Sequence, residues 1–349
     1  MLSTLHAVGT PETARDGLPA RPSPLGVPPP DVWAVVLAGG EGRRLRRFVR
    51  RILQNDRPKQ FCRIIGTRSM LRHTWDRALG LVNPAQILTV LTGGQERYLE
   101  EEIPGGVPGR ILVQPENRDT APGLLLPLLW IRRRAPAATV VVMPADHFVW
   151  EERRFVAHIG AAAAVAARSP ERLVLLGVEA TGPDAGYGWI GPGTPLAGES
   201  GHELYTVRRF WEKPERETAM RLFAGGHFWN TLVVAGRLDG FLRLAEQRLP
   251  ELLRALGQVD PIPETPTDEL RDAYRRIAPT NFSEALLARC PEALSLLVVR
   301  GVYWSDWGDP DRIFETLCRF NRRPAWWLSY VRARIEQPEE WRAADPSSA

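Results

Sequence analysis

Short apolar runs alternate along this chain with longer stretches whose apolar residues recur every three or four positions. "VWAVVLAG" from Val32, "QILTVLTG" from Gln86, "RILVQP" from Arg110, "ATVVVMPAD" from Ala138 and "RLVLLGVE" from Arg172 predict strands buried on both faces. Between them, "SMLRHTWDRALGLV" from Ser69, "APGLLLPLLWIRRR" from Ala121 and "RFVAHIGAAAAVAARS" from Arg154 predict helices. Strand alternating with helix predicts an α/β fold, a mixed and mostly parallel sheet flanked by helices. Such sheets take ligands at the carboxyl ends of their strands, so chemistry is expected just after each apolar run.

Beyond Gly182 the pattern loosens. "GYGWIGPG", "YTVRRFWEKP" and "FWNTLVVAG" predict shorter strands in a mixed or antiparallel extension of the sheet. A stretch rich in Pro and acid, "DPIPETPTDE" from Asp260, precedes a helical stretch and a late strand, "LSLLVVRGVYW". Residues 1–30, with "GLPARPSPLGVPPP", read as a Pro-rich disordered tail, because Pro supports neither ladder nor helix. The expected domain is 31–310, followed by a short helical C-terminal segment, 311–349, carrying Trp326 and Trp327. Core packing is the default for "PAWWLSYVRARI"; a homodimer contact and a membrane surface are its alternatives. No internal repeat is visible.

Composition narrows the class. The 349 residues are 44% hydrophobic, enough for a real core, and the net charge is only +4, so charge balance gives no argument for nucleic acid. Three cysteines, Cys62, Cys290 and Cys318, are too few and scattered for a disulfide framework or a zinc cluster, which predicts a reducing, cytoplasmic compartment. No run reaches the ~18–20 apolar residues of a membrane span. The start lacks the charged and apolar regions of a secretory leader.

The first strand ends in Gly39, Gly40 and Gly42, and six arginines follow between Arg43 and Arg51. Glycines let a backbone approach a ligand closely, and successive amides in such a turn make an anion-binding concavity. The P-loop and dinucleotide fingerprints are excluded: no Gly-Lys-Ser/Thr follows, and the third glycine of the fingerprint is missing. A tight turn with solvated arginines is the bland reading of the trio taken alone. A nucleic-acid patch lacks interleaved aromatics, since only Phe48 interrupts the run.

"LAGGEGRRL" followed by "RPKQF" (Arg57–Phe61) resembles the signature of the sugar nucleotidyltransferases, most closely the mannose-1-phosphate guanylyltransferases. The resemblance implies a Rossmann-like, GT-A-like nucleotidyltransferase fold. It implies that Leu37, Ala38, Gly39, Gly40 and Gly42 wrap a nucleoside triphosphate. Arg44 and Lys59 become the expected catalytic cations on the triphosphate and the sugar phosphate, as an Arg fork and a Lys point charge suit crowded phosphate oxygens. Arg47 stands where the family commonly has proline. With Arg46, Arg50 and Arg51 it is assigned to a solvated lid or surface.

Further stretches match the same family in order. "QPENRDTAPG" resembles its nucleobase-facing segment, implying roles for Glu116, Asn117, Thr120 and Ala121, while Asp119 or Thr120 also suits a helix cap. In "VVVMPADHF", Asp146 matches a magnesium-binding aspartate, and "WSDWG" supplies Asp306 as the second metal acid; Asp309 is assigned to a cap. Mg2+ takes oxygen ligands, typically one or two carboxylates plus substrate phosphates. "GYGWI", "WEKP" and "WNTLVV" match the sugar-site stretches, implying that Gly188, Glu212, Lys213 and Asn230 bind the sugar phosphate. His147 is given a supporting role, because the transfer needs no strong base, and Cys62 and Cys290 are read as buried apolar residues.

The implied reaction is Mg2+-dependent transfer from GTP to mannose 1-phosphate, giving GDP-mannose and pyrophosphate. A nucleotidyltransferase for another hexose 1-phosphate, such as glucose 1-phosphate with UTP or dTTP, is the first alternative. A non-catalytic sugar-nucleotide-binding regulatory homologue is the second. The expected partners are the two small substrates, with no nucleic acid and no membrane span.

Overall fold

The computed structural model describes residues 31–196, 201–259 and 265–336. The expected tail at 1–30, the first half of the Pro-rich stretch after Asp260, and residues beyond 336 lie outside them. Eleven strands are found among the described residues: β1 (Val32–Leu37), β2 (Ile87–Thr92), β3 (Arg110–Gln114), β4 (Thr139–Pro144), β5 (Phe148–Trp150), β6 (Leu173–Glu179), β7 (Trp189–Leu196), β8 (Leu204–Trp211), β9 (Phe228–Arg237), β10 (Leu294–Val299) and β11 (Tyr303–Ser305). The helices are α1 (Arg46–Ile52), α2 (Met70–Leu79), α3 (Thr120–Arg132), α4 (Glu152–Arg168), α5 (Arg216–Ala224), α6 (Leu238–Arg248), α7 (Pro250–Gly257), α8 (Asp268–Arg276), α9 (Phe282–Ala285), α10 (Pro310–Arg319) and α11 (Trp327–Glu336).

Nine strands form one sheet in the order β3-β2-β1-β4-β9-β6-β10-β8-β7, and β5 and β11 make a separate antiparallel pair. β1 runs parallel to both neighbours, with Val35 opposite Leu88 and Val142. Successive side chains point to opposite faces. Val35 therefore packs with α3, α6, α7 and α8, while Ala34 and Val36 pack with α2 and α4. Burial on both faces is why the first strands read as unbroken apolar runs.

One expectation needs correcting. "FWNTLVVAG" forms no peripheral extension: β9 lies in the middle of the sheet, antiparallel to both β4 and β6. Its residues are buried almost throughout, Asn230 and Thr231 included, and its direction is set by the tertiary path. The outer strands β7 and β8 do extend the sheet in antiparallel fashion.

The arginine-rich segment forms α1. Leu45, Phe48, Val49 and Ile52 turn inward to meet Ile313, Leu317 and Tyr330 of the last two helices, and the arginines are left outside. Phe48 meets Trp326 and Tyr330 edge-on, with ring centroids 5.1 and 5.6 Å apart. Trp326 Nε1 donates to the Ile64 carbonyl. The C-terminal helices α10 and α11 are thus packed on α1 and the loop around Ile64. No helix among the described residues is long and apolar enough to cross a membrane.

Candidate active site

The glycine loop leaves β1 at the carboxyl edge of the sheet. Gly42 has φ 62°, and a Cβ there would lie 2.9 Å from the Lys59 amide nitrogen, so both conformation and space call for glycine. The loop is fixed by amide side chains. Gln60, buried, donates to the carbonyls of Ala38 and Gly40, and Gln95 donates to Gly40. Arg44 emerges from the loop with its guanidinium 3.6 Å from Asp306 Oδ2. Together Gly42, Arg44, Lys59, Asn117, Asp146 and Gly308 border a cavity of about 270 Å³.

Lys59 is only 5% exposed, a position an ammonium occupies only with charged partners. Its Nζ lies 2.9 Å from Asp146 Oδ2 and donates to the Asp306 backbone carbonyl. Asp146 follows β4 and Asp306 follows β11. Burial would raise the Asp146 carboxyl, but the Lys59 charge holds it below the ordinary range. Burial likewise opposes ionisation of Asp306, and Arg312 and Lys59 overcome it, holding that carboxyl far below its usual value. Both are therefore carboxylates at neutral pH. Burial drives the neighbouring His147 down to about 4, against the opposing charge of Asp146, so it is neutral; its ring packs edge-on against Trp304.

The donor chemistry fits a hard divalent cation. One oxygen of each carboxylate is committed, Asp146 Oδ2 to Lys59 and Asp306 Oδ1 to the Gly308 amide and Arg312. The other oxygens have longer contacts, Asp146 Oδ1 with the neutral His147 ring and Asp306 Oδ2 with the Arg44 guanidinium, each at 3.6 Å. Among the described residues no group of three or more His, Cys, Asp or Glu side chains forms an all-protein cage. Two carboxylates beside a cavity lined by Arg44 and Lys59 match an ion that draws its remaining ligands from substrate and water. Asp309 caps α10, its Oδ1 accepting from the Arg312 amide.

The stretch expected to face the nucleobase lies against α9. Asp119 caps α3 through the Thr120 amide. The Thr120 hydroxyl accepts from the Phe282 amide, and the Ala121 amide donates to the Thr280 carbonyl. Both residues therefore have internal partners. Glu116 pairs with Arg118, and Asn117 lies on the cavity edge.

The residues expected to face the sugar converge. A Cβ on Gly188 would stand 2.9 Å from Glu212 Oε2 and 3.3 Å from Asn230 Cβ, so glycine brings β7, β8 and β9 together at this point. Asn230 is buried and its backbone N–H donates to the Gly188 carbonyl. Burial raises the Glu212 carboxyl, opposed by Lys213 and by a hydrogen bond from Ser283. Lys213 is exposed, with φ 42°.

Arg312 is a site residue that sequence reasoning missed. Its guanidinium joins Asp184, Asp306 and Asp309. The only sequence signal was its position three residues after Asp309, which any charged helix start would show. Gln60 lay inside a recognised motif without an assigned task. Ser283 carried no signal.

A family model for the nucleotidyl transferases matches residues 33–322. XanB, a xanthan biosynthesis protein of Xanthomonas campestris pv. campestris (strain B100), is 30% identical over 285 residues, 80% of this chain and 58% of that protein. A mannose-1-phosphate guanylyltransferase of Escherichia coli (strain K12) is 29% identical over 295 residues, 81% of this chain and 59% of that protein. The chain thus spans less than two thirds of the length of these relatives. Among solved structures, a Thermus thermophilus protein described as a mannose-1-phosphate geranyltransferase superposes with a TM-score of 0.68 at 25% identity, covering 81% of this chain and 79% of that one.

Proposed function

This chain belongs to the nucleotidyl transferase family, and we propose that it transfers the guanylyl group of GTP to mannose 1-phosphate, releasing pyrophosphate and GDP-mannose with Mg2+ as cofactor. The observation that carries this reading is the meeting of the glycine loop, Arg44, Lys59, Asp146 and Asn117 around one cavity at the carboxyl edge of the sheet. The similarity to an E. coli mannose-1-phosphate guanylyltransferase supports the choice of substrates.

A phosphate oxygen of mannose 1-phosphate attacks the α-phosphorus of GTP. The bond from that phosphorus to the oxygen bridging the β-phosphate breaks, and pyrophosphate leaves. The nucleophile is already ionised near neutral pH, so the protein's task is alignment and charge neutralisation rather than proton removal. Arg44 and the amides of the glycine loop steady the leaving pyrophosphate. Lys59, held between Asp146 and the Asp306 carbonyl, offers its ammonium to the phosphates at the point of transfer. Glu212 accepts hydrogen bonds from the sugar hydroxyls and Asn230 offers them an amide, and Gly188 leaves the room in which those two side chains stand together. Lys213 stands at the exposed edge for the sugar phosphate. Glu116 and Asn117 are the residues offered to guanine.

Asp146 and Asp306 would hold the Mg2+. When bound, it supplies positive charge that offsets the phosphates and orients them. The substrates are small cytoplasmic metabolites, which agrees with three free cysteines. The reading is tested by incubating the purified chain with GTP, mannose 1-phosphate and Mg2+ and resolving the products by ion-exchange chromatography. Equal amounts of GDP-mannose and pyrophosphate are expected; GTP recovered intact would reject it.

A further inference from the structure

Arg312 has no task in the reaction above, yet it sits at the centre of the site's charge. Its Nη2 contacts both oxygens of Asp184 at 2.6 and 2.7 Å, its Nη1 contacts Asp306 Oδ1 at 2.6 Å, and its Nε lies 3.2 Å from Asp309 Oδ2. The guanidinium plane also covers the Tyr187 ring at 4.0 Å. All three nitrogens are committed to carboxylates, so this arginine is a poor phosphate ligand. It is only 12% exposed. Without it, the carboxylates of Asp184, Asp306 and Asp309 would lose the positive charge they share, and the negative charge beside the metal-facing oxygen of Asp306 would stand uncompensated.

We propose that Arg312 is a resident cation that prevents the Asp306 carboxylate from capturing a free divalent ion, so that the metal enters together with the nucleoside triphosphate. The triphosphate brings the negative charge that the compensated site lacks, and only then does the site favour an added dication. The tie to Asp184 extends the same charge balance to the loop that leads into Gly186–Ile190, on the sugar side. Arg312 is thus a positioning residue acting through Asp306. The inference rests on the reading of Asp146 and Asp306 as metal ligands.

The test uses Mn2+ as probe, titrated into the full chain without nucleotide and followed by the electron paramagnetic resonance signal of free Mn2+. Wild type is expected to bind weakly. Arg312→Met should bind at least tenfold more tightly, Arg312→Lys should stay within threefold of wild type, and adding Asp306→Asn to Arg312→Met should abolish the gain. A merely structural arginine gives the opposite sign, since its loss would scatter the carboxylates and weaken binding. If Arg312→Met folds poorly, Arg312→Gln and the Mn2+-induced rise in Tm give the same comparison. Unchanged or weaker Mn2+ binding in the uncharged variants, or a gain that survives Asp306→Asn, overturns the proposal. The titration is independent of turnover: a wild type that makes no GDP-mannose defeats the functional reading, whereas the Mn2+ results judge Arg312.

Discussion

Lys59 Nζ lies 2.9 Å from Asp146 Oδ2 while it also donates to the backbone carbonyl of Asp306. One buried ammonium therefore joins the ends of β4 and β11, which are remote in sequence. Lys59→Met removes that charge from the edge of the cavity. Turnover should fall by at least ~10²-fold, about 2.7 kcal/mol in barrier, with GTP still bound through the loop. Steady-state kinetics on GTP and mannose 1-phosphate check this; a loss under threefold would remove Lys59 from the reaction.

Gln60 carries the shape of the glycine loop through two carbonyls. Gln60→Ala leaves the buried Ala38 carbonyl without that donor, while the Gly40 carbonyl keeps Gln95, a cost of about 1–3 kcal/mol in stability. The KM for GTP should rise well above that for mannose 1-phosphate. Urea unfolding and the two KM values are the measurements, and equal rises in both would show that the loop is not the part affected.

Glu212 gives a pH signature. Burial raises its carboxyl above the ordinary value, so it takes up a proton at a higher pH than a free glutamate would. As pH falls, the ionised acceptor is lost and the KM for mannose 1-phosphate should climb. Glu212→Gln should have a KM about tenfold higher at neutral pH, about 1.4 kcal/mol, and lack this extra climb on the acid side. The substrate's own phosphate titration is common to both proteins and cancels in the ratio.

Phe48 tests the packing of the C-terminal helices on α1. It is buried beneath Trp326 and Tyr330. Phe48→Ala should cost about 3–5 kcal/mol by denaturant unfolding. A cost under about 1 kcal/mol, far below the usual range for such a truncation, would mean that α11 is not part of the core.

Much of this architecture was legible because buried strands and periodic helices leave strong local patterns. Val35 and Val36 point to opposite faces and both need apolar partners, so an unbroken run announced β1 and its covered sheet. The place of β9 was not legible, since nothing in "FWNTLVVAG" records which strands it will join or in which direction. The site residues on strand ends, such as Asp146 and Asp306, stood out against apolar neighbours. Arg312 did not, because its meaning lies in three carboxylates, of which Asp184 comes from a distant loop. Gln60 was similarly silent: its backbone acceptors carry no residue-specific signal.

The most direct test of the whole account is a double-mutant cycle on Mg2+-dependent pyrophosphate release from GTP and mannose 1-phosphate. Asp→Asn keeps shape and removes charge. Asp146→Asn and Asp306→Asn should each lower turnover by at least ~10²-fold, and the double variant should be little worse than either, because both act through one ion. Asp309→Asn keeps an oxygen that caps the helix about as well and should keep most of the activity. Fully additive losses, or single variants with the wild-type Mg2+ requirement, would contradict the shared site on which the account stands.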